Sequence, residues 1–234
     1  MFHAIRRPFS FLLLLLLAVS GCKKEDLPQL EINRSELGLY YDDRFQLTVK
    51  QGGQTVPAES IQWTSTDEMT GTVDFDGMLR AGIIGSTVIT GVYQGQTVSC
   101  SVTVMPRYDF LHEPLVIMGS TMQQVQEYET RKTDGYSPSD WLEYYDYAAD
   151  ILYLGYRFEE DKLKGVFLQY RETPELREKL INFYKERYVC EQAGFHTVIF
   201  ADRDKTIHIE VEVNASNSPS FPVSYLPYYP SFVY

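Results

Sequence analysis

From Gln29 to Val104 apolar and polar residues alternate in short runs, and apolar positions never settle into helical spacing. A period of two sends successive side chains to opposite faces of a strand. The pattern predicts strands over 29–33, 44–50, 60–65, 71–74, 78–81, 86–93 and 96–104, broken at Gly52-Gly53, Asp76-Gly77, Gly82, Gly85 and Gly95. Short strands at regular spacing with turn signals between them predict an all-β sandwich. Tyr93-Gln94-Gly95-Gln96 reads as a two-residue hairpin loop. In the last strand Val98, Cys100, Val102 and Val104 share one face, which marks Cys100 as a core cysteine.

Past Pro106 the pattern changes, and a domain boundary near 105–110 is expected. Ser120-Thr121-Met122-Gln123 reads as a capping box opening a short helix lined by Met122, Val125 and Tyr128. Thr173-Pro174 supplies an N-cap with proline at the first position. Leu176, Leu180, Phe183, Tyr184 and Tyr188 then share one face of a helix ending near Val189. Strands are expected over 141–147, 151–158, 163–170, 196–202 and 206–213, with 221–226 closing the sheet. Two helices on one face of a mostly antiparallel sheet make an α+β two-layer domain.

Composition narrows the class. The 234 residues are 44% hydrophobic and 23% charged, which excludes whole-chain disorder and fibrous repeats. With 21 basic and 32 acidic groups the net charge is −11, which disfavours nucleic acid as a partner.

At the N-terminus Arg6 and Arg7 precede Phe9, Phe11 and the run Leu12 to Leu17, and Val19-Ser20-Gly21-Cys22 follows. A charged region, a dozen apolar residues and a small-residue cleavage site make a secretory signal, too short for a spanning helix. Val-Ser-Gly-Cys resembles the lipobox of bacterial lipoproteins. That resemblance implies cleavage after Gly21, lipidation of Cys22 and attachment to a membrane through the lipid. An ordinary signal leaving a free Cys22 is the alternative. Lys23-Lys24-Glu25-Asp26 resembles the acidic export tags of surface lipoproteins in the Bacteroidetes, which implies an outer-membrane protein facing the cell surface. The expected division is 1–21 signal, 22–28 tether, 29–105 sandwich and 106–234 α+β domain. Losing Arg6 and Arg7 takes the net charge from −11 to −13.

Within the sandwich, Trp63-Thr64-Ser65-Thr66-Asp67, Val73-Asp74, Asp76-Gly77-Met78-Leu79-Arg80-Ala81, Gly85-Ser86-Thr87-Val88-Ile89 and Ser101-Val102-Thr103-Val104 resemble the bacterial immunoglobulin-like domain, group 2. Tyr41-Asp42-Asp43-Arg44 stands where that family usually has a glycine turn, and an Asp pair can build the same turn. The resemblance implies an immunoglobulin-like spacer or adhesive module with no catalytic residues. Asp74-Phe75-Asp76-Gly77 lacks the third acid and the closing Glu of a calcium loop.

Chemistry is sparse. His112, His196 and His208 have no metal-ligand spacing, there is no C-x-x-C, and no cofactor or metal is expected. No nucleophile elbow or phosphate loop is present. Glu159-Glu160-Asp161 and Asp202-Arg203-Asp204 fall at predicted hairpin tips and read as solvated turn residues; a carboxylate pair across a cleft is the alternative. Cys100 and Cys190 are expected as two buried thiols, with a disulfide between the domains as the alternative.

Fifteen of the 18 tyrosines lie beyond residue 106, so the excess belongs to the second domain. Tyr144, Tyr145, Tyr147, Tyr153, Tyr156 and Tyr170 fall in neighbouring strands. Tyr225, Tyr228, Tyr229, Phe232 and Tyr234 are the candidate binding aromatics. An apolar ring with a polar tip suits contact with proteins or sugars, and equally suits the margin of a small core. The two tail prolines predict an extended segment packed outside the sheet centre. A non-catalytic binding module for a protein or a glycan is the expectation; a glycan-processing accessory enzyme and a structural outer-membrane assembly component stay open.

Overall fold

The computed structural model describes residues 27–133, 139–213 and 219–230. Cys22, Phe232 and Tyr234 lie outside them. The described chain is mostly β-sheet with two α-helices, and among the described residues no helix is long and apolar enough to cross a membrane.

The first strands are β1 (Leu30–Ile32), β2 (Glu36–Tyr40), β3 (Arg44–Gln46), β4 (Val49–Gln51), β5 (Gln54–Thr55), β6 (Gln62–Ser65), β7 (Gly71–Val73), β8 (Met78–Ala81), β9 (Gly85–Tyr93) and β10 (Gln96–Met105). They form sheets ordered β1-β4-β5, β3-β8-β7 and β2-β10-β9-β6. Ile89, Cys100, Val102 and Val104 from β9 and β10 pack with Leu47 and Leu79 of the facing layer. Gln94 and Gly95 both have positive φ, the two-residue hairpin expected of the sequence. At 40–43 the turn is closed as anticipated: Asp43 Oδ2 accepts from the Tyr40 amide, and the Asp43 amide donates to the Tyr40 carbonyl. Gly91 is required by the tryptophan of the motif, because a Cβ there would stand 2.8 Å from the Trp63 ring. β2 was not anticipated. It pairs in parallel with β10, far away in sequence, and Gly38 leaves room for the Met105 side chain.

The remaining elements are α1 (Met122–Tyr128), β11 (Trp141–Asp146), β12 (Ile151–Glu159), β13 (Lys162–Arg171), α2 (Pro174–Lys185), β14 (Val189–Ala193), β15 (Thr197–Ala201), β16 (Ile207–Glu212) and β17 (Ser220–Pro227). One antiparallel sheet of seven strands runs β11-β12-β13-β17-β16-β15-β14. Thr173 caps α2 through the Leu176 amide with Pro174 following, as expected. The cap of α1 is Thr121 and not Ser120: Thr121 and Gln124 exchange the reciprocal capping-box bonds. α2 stops at Lys185, and the chain re-enters the sheet as the unanticipated edge strand β14, whose mostly exposed residues carry no alternation signal.

β17 is the strand expected over 221–226, but it lies inside the sheet, between β13 and β16, and so places Tyr225–Pro227 in a central strand where an extended segment was expected. Pro222 sits just beyond the last β16 pair and Pro227 at the final one, where missing amide donors cost the ladder least.

A polar joint fastens this sheet to the N-terminal strands. Glu186 is 1% exposed, and its carboxylate accepts the amides of Arg107 and Tyr108, each at 3.0 Å, while its carbonyl accepts the Ile84 amide at 2.7 Å. Arg187 binds the same carboxylate at 2.6 Å. Arg203, expected at a solvated hairpin tip, reaches across instead. Its guanidinium pairs with Asp67 and donates to Thr70 Oγ1 at 2.6 Å and the Ile84 carbonyl at 3.0 Å. Gly85 makes room, since a Cβ there would stand 2.8 Å from Arg203 Nη2. Cys100 and Cys190 are both free; Cys100 is buried as expected, but Cys190 is exposed, on the edge strand.

Candidate functional site

Alternation divides the seven-stranded sheet into two faces. Leu154, Tyr156, Val166, Leu168, Ile209 and Val223 face the helices, where Val125 of α1 and Leu180 and Phe183 of α2 complete one core. Among the described residues the other face carries no α-helix. The register aligns one residue from every strand across it: Glu143, Gly155, Phe167, Ser224, Glu210, Ile199 and Gln192.

The tyrosine excess is partitioned by the same alternation. Tyr144, Tyr156, Tyr170 and Tyr184 are buried on the helix side. Tyr225 joins them, which corrects its assignment as a binding aromatic. With Phe221 and Val223 it occupies the inward positions of β17, and its hydroxyl lies 2.7 Å from that of Tyr184. These rings fill the core, the alternative open at sequence level. They surround acids that no sequence signal singled out. Tyr156 donates to Glu129, which pairs with Arg131 at 2.6 Å while both are buried, and Tyr188 donates to Glu113 at 2.8 Å. Burial raises the Glu113 carboxyl above its ordinary range despite the Tyr188 hydrogen bond and the Arg187 and His112 charges.

Tyr228 and Tyr229 behave differently. Beyond Pro227 the chain turns onto the open face, where both rings line a recess with Glu191, Ile199, His208 and Glu210. Tyr228 donates to Glu191 at 3.0 Å, and Lys205 bridges the pair, 2.9 Å from Glu191 with its ammonium 5.4 Å from the Tyr228 ring centre. Tyr229 is 55% exposed. It also borders a second, adjoining depression of about 240 Å³, lined by Arg157, Glu159, Lys164, His208, Glu210 and Leu226. His208, outward-facing as expected yet 5% exposed, lies 3.2 Å from the Glu210 carboxylate.

A second group of rings on this face emerges only from the register. Trp141 and Phe167 stack with centroids 5.7 Å apart and planes 16° from parallel. Trp141 Nε1 donates to Tyr153 at 2.6 Å, and Tyr153 donates to Glu143 at 3.3 Å. Burial and the Glu143 charge raise the Tyr153 phenol to about 12 against the Trp141 hydrogen bond, so it remains protonated at neutral pH.

The acidic hairpin tips serve structure. Asp161 accepts the Met122 amide at the start of α1, and Asp202 accepts the Thr206 and Ile207 amides, closing its own turn. Among the described residues no three His, Cys, Asp or Glu side chains gather to hold a metal.

No family model and no curated protein matches the chain. Among solved structures, domains 5–6 of the S-layer protein SbsC align over 86% of this chain and 84% of theirs, with 12% identity and a TM-score of 0.30. An EHEC O157:H7 intimin mutant aligns over 85% of this chain and 100% of its own, with 12% identity and a TM-score of 0.28. At that distance these structures assign neither fold nor function.

Proposed function

We propose that the chain is a lipid-anchored protein of the bacterial envelope, exposed at the outer surface, in which an immunoglobulin-like spacer (29–105) presents an α+β domain (106–234) that binds a protein or a glycan without catalysis. The anchor rests on the lipobox ending at Cys22, and the spacer on the Trp63 to Val104 motifs and the layered sheets they build. One observation carries the binding role. Tyr228 and Tyr229 line recesses of the open sheet face together with His208 and Glu210, whereas the other candidate within the described residues, Tyr225, is core.

The test is the double variant Tyr228→Ala/Tyr229→Ala in the full chain. It should melt within a few degrees of the native protein and lose binding to labelled envelope polysaccharide or envelope protein. Collapse of the fold, or unchanged binding to both preparations, would assign the two rings to structure alone.

A further inference from the structure

We propose that the open face takes a neutral polysaccharide chain laid across the strands, with the Trp141–Phe167 pair as a second aromatic station beside Tyr228 and Tyr229; this rests on the binding role assigned above. Strands ~4.8 Å apart make a seven-strand row ~29 Å long, a track for a linear chain and not a pit for one small molecule. Glycines let the rings lie flat on the sheet where the row begins. A Cβ on Gly155 would meet the Trp141 ring at 2.6 Å, and one on Gly165 would meet Phe167 at 3.1 Å and Leu226 at 3.2 Å. Leu226 borders the depression that Tyr229 lines, so the two stations are continuous. That depression, about 240 Å³, is smaller than the ~300–1,000 Å³ of pockets that enclose a drug-sized ligand.

The chemistry between the rings selects the ligand. Aromatic rings offer apolar faces to the C–H face of a sugar, while Glu143, Arg157, Lys164 and Glu210 offer hydrogen bonds of both kinds to its hydroxyls. The charges are of mixed sign on a chain of net charge −11, so no basic cluster stands ready for a polyanion. A protein partner would favour a continuous apolar centre; here charged side chains separate the rings. Trp141 is held in place by its bond to Tyr153, which limits the ordering cost of stacking.

Affinity electrophoresis of the mature chain through gels containing a neutral glucan, mannan, xylan or galactan tests this. Retardation is expected in at least one gel, weakened about tenfold in Trp141→Ala, as loss of a ring stack implies, and restored by Trp141→Phe. Polygalacturonate should not retard the protein. If Trp141→Ala lowers the melting temperature, Phe167→Ala with Phe167→Tyr as its rescue reads the same station. Native retardation in Trp141→Ala alongside loss in Tyr229→Ala would remove the second station and leave the binding role standing. Absence of retardation in every neutral gel would overturn the glycan class, and the binding role would then stand or fall on envelope protein. Loss of both kinds of binding overturns both readings.

Discussion

Replacing Arg203 by alanine should uncouple the N-terminal strands from the seven-stranded sheet. The guanidinium makes three charge-assisted contacts across the joint, to Asp67, Thr70 and the Ile84 carbonyl. Each such bond is worth ~1.5–3 kcal/mol when desolvated. The side chains of Arg203 and Asp67 keep 34% and 29% exposure, however, and partial solvation reduces the total to about 2–3 kcal/mol. At ~2–4 °C per kcal/mol for a chain of this size, the melting midpoint should fall by ~4–12 °C.

Trp63 lies on one side of the joint and Trp141 on the other, so single-tryptophan variants report each side separately. Coincident transitions are expected in the native protein and separated ones in Arg203→Ala. Acid should erase the difference. Burial pushes the Asp67 carboxyl up, but hydrogen bonds from Arg203 and Thr70 and the Arg203 charge outweigh it and hold the pKa below the ordinary 3.8. The unfolded chain therefore takes the proton first as pH falls. The contribution is present above 3.8 and lost as pH drops through the lowered folded value. A midpoint shift under 1 °C, or transitions already separate in the native protein, would refute the coupling.

Two further outcomes follow from buried acids. Glu186→Ala strands two linker amides and leaves Arg187 without its carboxylate, so a loss of about 3–5 kcal/mol in urea denaturation is expected, with Glu186→Gln recovering part of it. Glu113 has the opposite pH sense from Asp67. Its folded pKa is raised, so its contribution is present below the ordinary 4.5 and declines as pH rises through the raised value. Glu113→Gln keeps an acceptor for Tyr188 and should flatten that decline; an unchanged slope of stability against pH would show that Glu113 is solvated.

Strand and helix identity was legible wherever a local signal existed. Met78–Ala81 falls where alternation and the Asp76-Gly77 turn place it, and Thr173-Pro174 opens α2. Cys100 was readable as core because its strand alternates without interruption. β2 and β14 were not legible. One is a short strand whose partner lies far away in sequence, and the other is an exposed edge, so neither repeats an apolar period. The site was half legible. Tyr228 and Tyr229 were singled out by composition, but composition cannot separate them from Tyr225, because inward and outward positions differ only by register.

The sequence alone therefore determined the periodicities that make strands and helices, the turns and caps, and the concentration of tyrosine after Pro106. Each is a property of a residue and its near neighbours. Tertiary structure decided which tyrosines became core, that Arg203 and Glu186 fasten the joint, and that Trp141, Phe167 and Tyr229 share one face. Those outcomes depend on which strands lie side by side, and strand order in an antiparallel sheet is set by the burial of the whole chain and not by any local pattern.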